Sequence, residues 1–261
     1  MGRLARIYQV FWRSSLVREL EFKANFYAKM LENVVWAVFF AIVVSILYSH
    51  TKSIAGWTKG EGFVLSSAAF LLIATFNALF SSVKEIPEHV RRGTLDFIAV
   101  RPVDSQFWVS LRRFNFNEIG AILAGIGMLI YGLNVDGIQP APGDWAAFAF
   151  SLFCAGIIYY SIDFAMMTLG IYFVRVDNLW VLGDTMMTIA RNPVDIYGLV
   201  AQRFFLYVLP IALLGTVPAR QLTRGATVHD LTLSLAWALA LFVGSRLFWR
   251  HALRAYSSAS S

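Results

Sequence analysis

The chain has 261 residues, of which 58% are hydrophobic and 15% charged, with a net charge of +6 and a mean hydropathy of +0.61. A soluble domain carries nearer ~25% charged residues, and long stretches here hold almost none, which excludes a soluble fold. The apolar matter comes in blocks of about twenty residues, the length that crosses ~30 Å of hydrocarbon.

Residues 1–29 are polar and basic, with neither an apolar core nor a small-residue cleavage site, so they are not read as a secretory signal. Within them, residues 3–15 predict an amphipathic helix. Leu4, Ile7, Tyr8 and Phe11 share one face and Arg6, Gln9 and Arg13 the other, a pattern suited to the headgroup layer. Spans are expected near 30–49, 63–83, 116–135, 145–174, 204–218 and 231–249, six in all, with Pro210 interrupting the fifth and Pro218 ending it. A polar hinge, 50–62, follows the first span, and DGIQPAPGD, rich in Pro and Gly, is a turn between the third and fourth. The piece Leu179–Ala190 is too short to span by itself. The single cysteine, Cys154, lies in an apolar block and excludes an intramolecular disulfide.

Orientation follows from the basic residues. Segments 1–29, 84–113, 175–203 and 246–261 hold 18 of the 22 Lys and Arg, against four in 50–62 and 219–230. The positive-inside rule places the first set in the cytoplasm, with both chain ends inside. The same placement accounts for the pI of 9.6 without nucleic acid, since the charges bracket spans and do not alternate with a stacking platform.

Several chemistries lack their residues. There is no G-x-x-x-x-G-K-[ST] to hold ATP phosphates, no H-E-x-x-H and no G-x-S-x-G. The four histidines are scattered over separate polar segments, so neither a metal site nor a catalytic set is expected.

The stretch 84–104 is the most informative. Pro87 suits the first turn of a short helix, Glu85 and Glu88 its N-terminal end, Arg91 and Arg92 its C-terminal end, and Gly93 a left-handed stop. Asp96 and Arg101 are placed to hold a following strand-like piece against it. Such a helix is either a docking element for a soluble partner or a capped turn in a solvated loop.

Inside the spans, Asp163 and Asn77 are candidates for a pathway or gate, with a bond to a neighbouring helix as the alternative. Glu32 and Glu118, near span ends, are expected to pair with Lys or Arg. Ala236, Ala240 and Gly244 recur every four residues, permitting close approach of either a second subunit or the first span.

The pieces ELEFKANF (19–26), IAGW (54–57), RRGTLDF (91–97) followed by RPV (101–103), SLRRF (110–114), RNPVDIY (191–197), VLP (208–210) and LRAYSSAS (253–260) run in order through nearly the whole chain. With these, the chain resembles the membrane subunits of ABC-2-type ABC transporters, in particular a small bacterial permease family. The resemblance implies an all-α integral membrane protein, residues 1–261 forming one permease domain of six transmembrane helices in a bacterial inner membrane. It also implies an exporter subunit with no cofactor of its own, ATP being used by a separate nucleotide-binding ATPase. A second permease subunit, identical or paralogous, and membrane lipids complete the expected partners. In this frame 84–113 is the coupling loop and 85–93 its helix, joined by Asp96 and Arg101. The rival readings are an ion-coupled secondary transporter using Asp163 and a membrane scaffold without transport; a secondary transporter is disfavoured because no inverted repeat or paired broken helices are visible.

Overall fold

The computed structural model describes residues 3–21, 23–99, 102–173 and 179–256, and among them helices and short 3-10 turns are the only extended regular structure. Arg101 of the RPV motif and residues 257–260 of the YSSAS ending lie outside the described residues, as does Val174 at the expected end of the fourth span.

Helix α1 (Arg3–Glu21) runs longer than 3–15 and turns the expected face inward, with Ile7, Tyr8 and Phe11 half-buried while Arg6, Gln9 and Arg13 are exposed. Phe11 meets Trp108 edge to face at 4.8 Å, and Ser15 Oγ accepts from the Phe114 amide at 3.1 Å. α2 (Lys23–Leu47) is apolar and largely exposed, lying along α7. A tight turn, Ile54 paired with Trp57 and the left-handed Ala55 and Gly56 between them, explains the IAGW piece.

α3 (Lys59–Phe80) starts four residues before the expected span because Thr58 and Glu61 form a capping box. It continues through a 3-10 turn, Ser81–Glu85, into α4 (Ile86–Arg91). Then come α5 (Leu95–Ala99) and α6 (Ser105–Leu111), the latter capped by Asp104, whose side chain accepts from the Phe107 amide at 3.0 Å. The expected strand-like piece after Gly93 is therefore helical: Leu95 and Ile98, a turn apart, bury themselves in the core and hold a helical register.

α7 (Ile119–Val135) packs along α3, and α8 (Pro142–Thr168), with Pro142 in its first turn, packs along α12 (Val228–Ala255). Among the described residues five stretches, containing α2, α3, α7, α8 and α12, are long and apolar enough to cross a membrane. This is an all-α membrane protein.

Between α8 and α12 the structure departs from the expected fifth span. α9 (Leu179–Ala190) packs on α8; then α10 (Leu199–Tyr207), a 3-10 turn Ile211–Leu214 and α11 (Thr216–Thr223) follow as separate pieces. Residues 204–218 do not form one helix. Pro210 cannot donate to a helical ladder and Gly215 lies against the Ala190 carbonyl, so the chain turns there with Ile211, Leu213 and Leu214 fully buried. Pro218 sits inside α11 and does not end it.

Polar contacts sort the connections into two ends. At one, Thr58 and the Gly60 amide bond Asp136, Arg224 bonds Glu61, and the Ala226 amide bonds Asp144. At the other, Glu85 pairs with Arg112 and Arg113, Asp104 with Arg246, and the Trp249 indole donates to Ser105 at 3.0 Å. Asp195 belongs to the first end, since it bonds Trp57 and Arg220. Asp195 thus does not share an end with 84–113, although the charge count puts 175–203 on that side.

Candidate functional site

The α4–α6 end gathers most of the residues singled out in the sequence. Pro87 stands in the first turn of α4, and the helix closes as the charges predicted. The Thr94 amide donates to the His89 carbonyl at 2.9 Å and the Gly93 amide to Val90 at 3.1 Å, with Gly93 at φ +66°. These are the two bonds of a Schellman cap, which need a left-handed residue at position 93.

Glu88 pairs with both Arg91 and Arg92, one and the same carboxylate serving positions three and four residues on. Arg92 remains 73% exposed along its side chain. Glu85 does more than favour the helix start: its carboxylate joins Arg112 and Arg113, tying α4 to the end of α6. Arg112 is the more buried of the two, and that burial, with Arg113 and Arg18 nearby, pulls its guanidinium down to about 10, low for arginine and still charged at neutral pH. Asp96 lies on α5, half-buried.

Packing braces α4 on its other side. Ile86 is fully buried, and Pro87 lies against Gly170 just beyond α8, where a side chain would start 3.1 Å from the proline ring. The short helix is consequently fixed to two long helices, α3 by continuity and α8 by contact, while its charged face is open. Sequence reasoning missed Arg112, Arg113 and Gly170 as partners. The Arg pair in SLRRF was the available signal, since two adjacent cations at a helix end ask for a carboxylate.

A second polar cluster closes the opposite end. The Trp57 indole, 0% exposed, donates to Asp195 Oδ2 at 2.8 Å, and Arg220 reaches both Asp195 oxygens at 2.5 and 2.6 Å. Arg224 bonds Glu61 at 2.9 Å and the Gly56 carbonyl at 3.0 Å, with its guanidinium 4.4 Å over the Trp57 ring. The IAGW and RNPVDIY pieces, 138 residues apart at their contact, thus serve one clamp that holds α11 over the end of the bundle.

The remaining candidates stand apart. Asp163 is 1% exposed in the contact of α8 with α9, 3.4 Å from where a side chain at Gly183 would begin, and its Oδ2 has no partner among the described residues. Asn77 is half-buried on α3. Ala236, Ala240 and Gly244 are exposed along α12, so they are not spent on packing against the first span. Glu32 pairs with Lys29 at 2.7 Å as expected, whereas Glu118 accepts from the Asn115 amide group at 3.5 Å.

Comparison with known proteins agrees with the order of motifs. A family model described as ABC-2 family transporter protein matches residues 34–260. No match was found among curated proteins.

Proposed function

Since the chain belongs to the ABC-2 transporter family, we propose that it is the membrane subunit of an exporter whose ATP is hydrolysed on separate subunits. A transport permease role comes with the family, and members generally work with ATPase subunits; the assembly, direction and interface are our reading. The observation that carries it is the build of α4. A helix of six residues would not stay folded by itself in water, yet this one is capped, buried at Ile86 and braced by Pro87–Gly170 and by Glu85 with Arg112 and Arg113. Rigid on its inner side and charged on its outer side, it suits force transmission from a soluble partner.

In this reading α1 lies in the headgroup layer and both chain ends are cytoplasmic. α9 belongs to the fifth crossing, and α10 and α11 form a re-entrant pair under the Trp57–Asp195–Arg220 clamp. Glu85, Pro87, Glu88, Arg91, Arg92, Gly93, Asp96 and Arg101 make the coupling region. The small face of Ala236, Ala240 and Gly244 receives the second permease subunit. Asn77 serves the pathway, and Asp163 the contact through which α8 and α9 move together. The membrane is the bacterial inner membrane.

The test is ATP hydrolysis in nanodiscs holding the purified chain alone or with its co-purified partners. Hydrolysis is expected only with partners present. Hydrolysis by the chain alone would defeat the division of labour.

A further inference from the structure

A groove of about 600 Å³ runs along the outside of the bundle between α3 and α8, closed at one end by α6. Leu72, Phe80, Leu152, Gly156 and Tyr160 are among its walls, and Phe153, which is 66% exposed, marks its open side facing hydrocarbon. From Phe148 to Tyr160 along α8 it extends roughly 18 Å at 1.5 Å per residue, more than half the ~30 Å apolar core of a bilayer.

Apart from Thr75 on α3, the polar lining lies at the α6 end. There Arg246 donates to Asp104 and, at 2.9 Å, to Gln106 Oε1; Gln106 in turn donates to the Tyr160 hydroxyl at 3.1 Å, and Ser110 shares that hydroxyl at 2.8 Å. Arg250, one turn further along α12, is exposed and also acts on the Asp104 carboxylate. Arg246 and Asp104 line the groove and offset one another, so the excess positive charge beside this mouth is that of Arg250.

A second groove offers an internal comparison. It lies between α2 and α7, holds about 480 Å³, and is lined by residues such as Ile42, Phe63, Gly127 and Tyr131, with no charged side chain in its lining.

We propose that the α3–α8 groove is a binding site for a phospholipid of the leaflet on the α4–α6 side, its acyl chain along α8 and its phosphate at Arg246 and Arg250. The walls suit a hydrocarbon chain and nothing hydrated, the open side admits it from the bilayer, and the positive mouth at headgroup depth selects an anionic head. The second groove has the walls without the mouth, and takes lipid only as the rest of the surface does.

The full chain in phosphatidylcholine nanodiscs doped with a phosphatidylglycerol carrying a diazirine on its acyl chain tests this directly. After irradiation, label is expected on peptides around 149–157 and 72–80 at about five times the yield on 38–46 and 127–131, the ratio one cationic contact at the surface supports. Gly156 has room for a side chain, with only Leu72 at 3.9 Å, so Gly156→Phe fills the groove and should remove the excess; Gly127→Phe should not. Arg250→Gln, at an exposed position, should equalise labelling by the phosphatidylglycerol probe and a phosphatidylcholine probe with the same diazirine. Equal labelling of both grooves in the wild type, or an unchanged excess in folded Gly156→Phe, would reduce the groove to ordinary lipid contact and overturn the proposal. If Gly156→Phe does not fold, the Arg250→Gln comparison decides: a persisting preference for the anionic probe overturns the site.

Discussion

Replacing Arg92 by Glu reverses the most exposed charge on α4 without touching the packing beneath it. Among the described residues Arg92 pairs with Glu88 across the surface, and such solvent-exposed i,i+4 pairs contribute little to stability. A carboxylate at position 92, one turn from Glu88, adds a repulsion of similarly small size, so the local cost is small. The helix withstands that, since Ile86 is buried and Glu85 holds Arg112 and Arg113. A charge-assisted bond from Arg92 into a partner's groove contributes about 1.5–3 kcal/mol, and its loss weakens binding roughly 10- to 150-fold. The expected outcome is a protein that inserts normally, retains little ATPase on purification and shows no stimulated hydrolysis in nanodiscs. Arg92→Gln, which removes the charge without reversing it, should fall between the two. The reasoning is refuted if Arg92→Glu holds its partner within about threefold of wild type, or if the Gln and Glu variants behave alike. Either result would mean that the exposed guanidinium faces water and not a protein.

Gly170→Val inserts a side chain into Pro87, an overpacking that costs about 1–3 kcal/mol; stimulated ATPase should fall while α4 is shifted, with partner binding as the check. With Cys154 replaced by Ser, cysteines at Thr94 should label only from the cytoplasm and those at Gln139, Ile196 and Thr227 only from outside, and labelling of Ile196 together with Thr94 would undo the placement of Asp195. Ala240→Leu should release half-assembled complexes on gentle extraction, seen as a smaller species in mass photometry; an unchanged complex moves the permease contact elsewhere. The hydrogen bonds from Arg246 hold the Asp104 carboxyl below its usual range. Its contribution is therefore complete above the ordinary aspartate value and is lost as pH falls through the lowered one. Asp104→Asn still caps α6, so it should cost no more than about 1 kcal/mol at neutral pH and should flatten the acid-induced loss of thermal stability in that range.

The long helices were legible because their signal is local: twenty apolar residues, a Pro or capping box at the start, a polar loop at the end. α4 was legible for the same reason, since Pro87, the flanking charges and Gly93 all act within one turn of the residues they cap. What escaped is set by contacts between distant segments. Residues 204–218 read as an apolar block of spanning composition, and only the packing of Ile211, Leu213 and Leu214 against α8 and α9 shows that the chain doubles back there. Asp195 looked like part of a cytoplasmic basic loop, because nothing in RNPVDIY announces that its carboxylate meets Trp57 and Arg220. Asp163 shows the limit for polar membrane residues: its chemistry was visible in sequence, but its burial between α8 and α9 depends on which helix covers it.

Extraction of the tagged full chain into nanodiscs from its own membrane, with every stoichiometric chain identified and counted, tests most directly whether this is a permease driven by a separate ATPase. Two permease chains and two P-loop ATPase chains are expected, with ATPase recovery falling sharply in Arg92→Glu. Recovery of the chain alone, with transport intact in vesicles that contain no nucleotide-binding subunit, would contradict it.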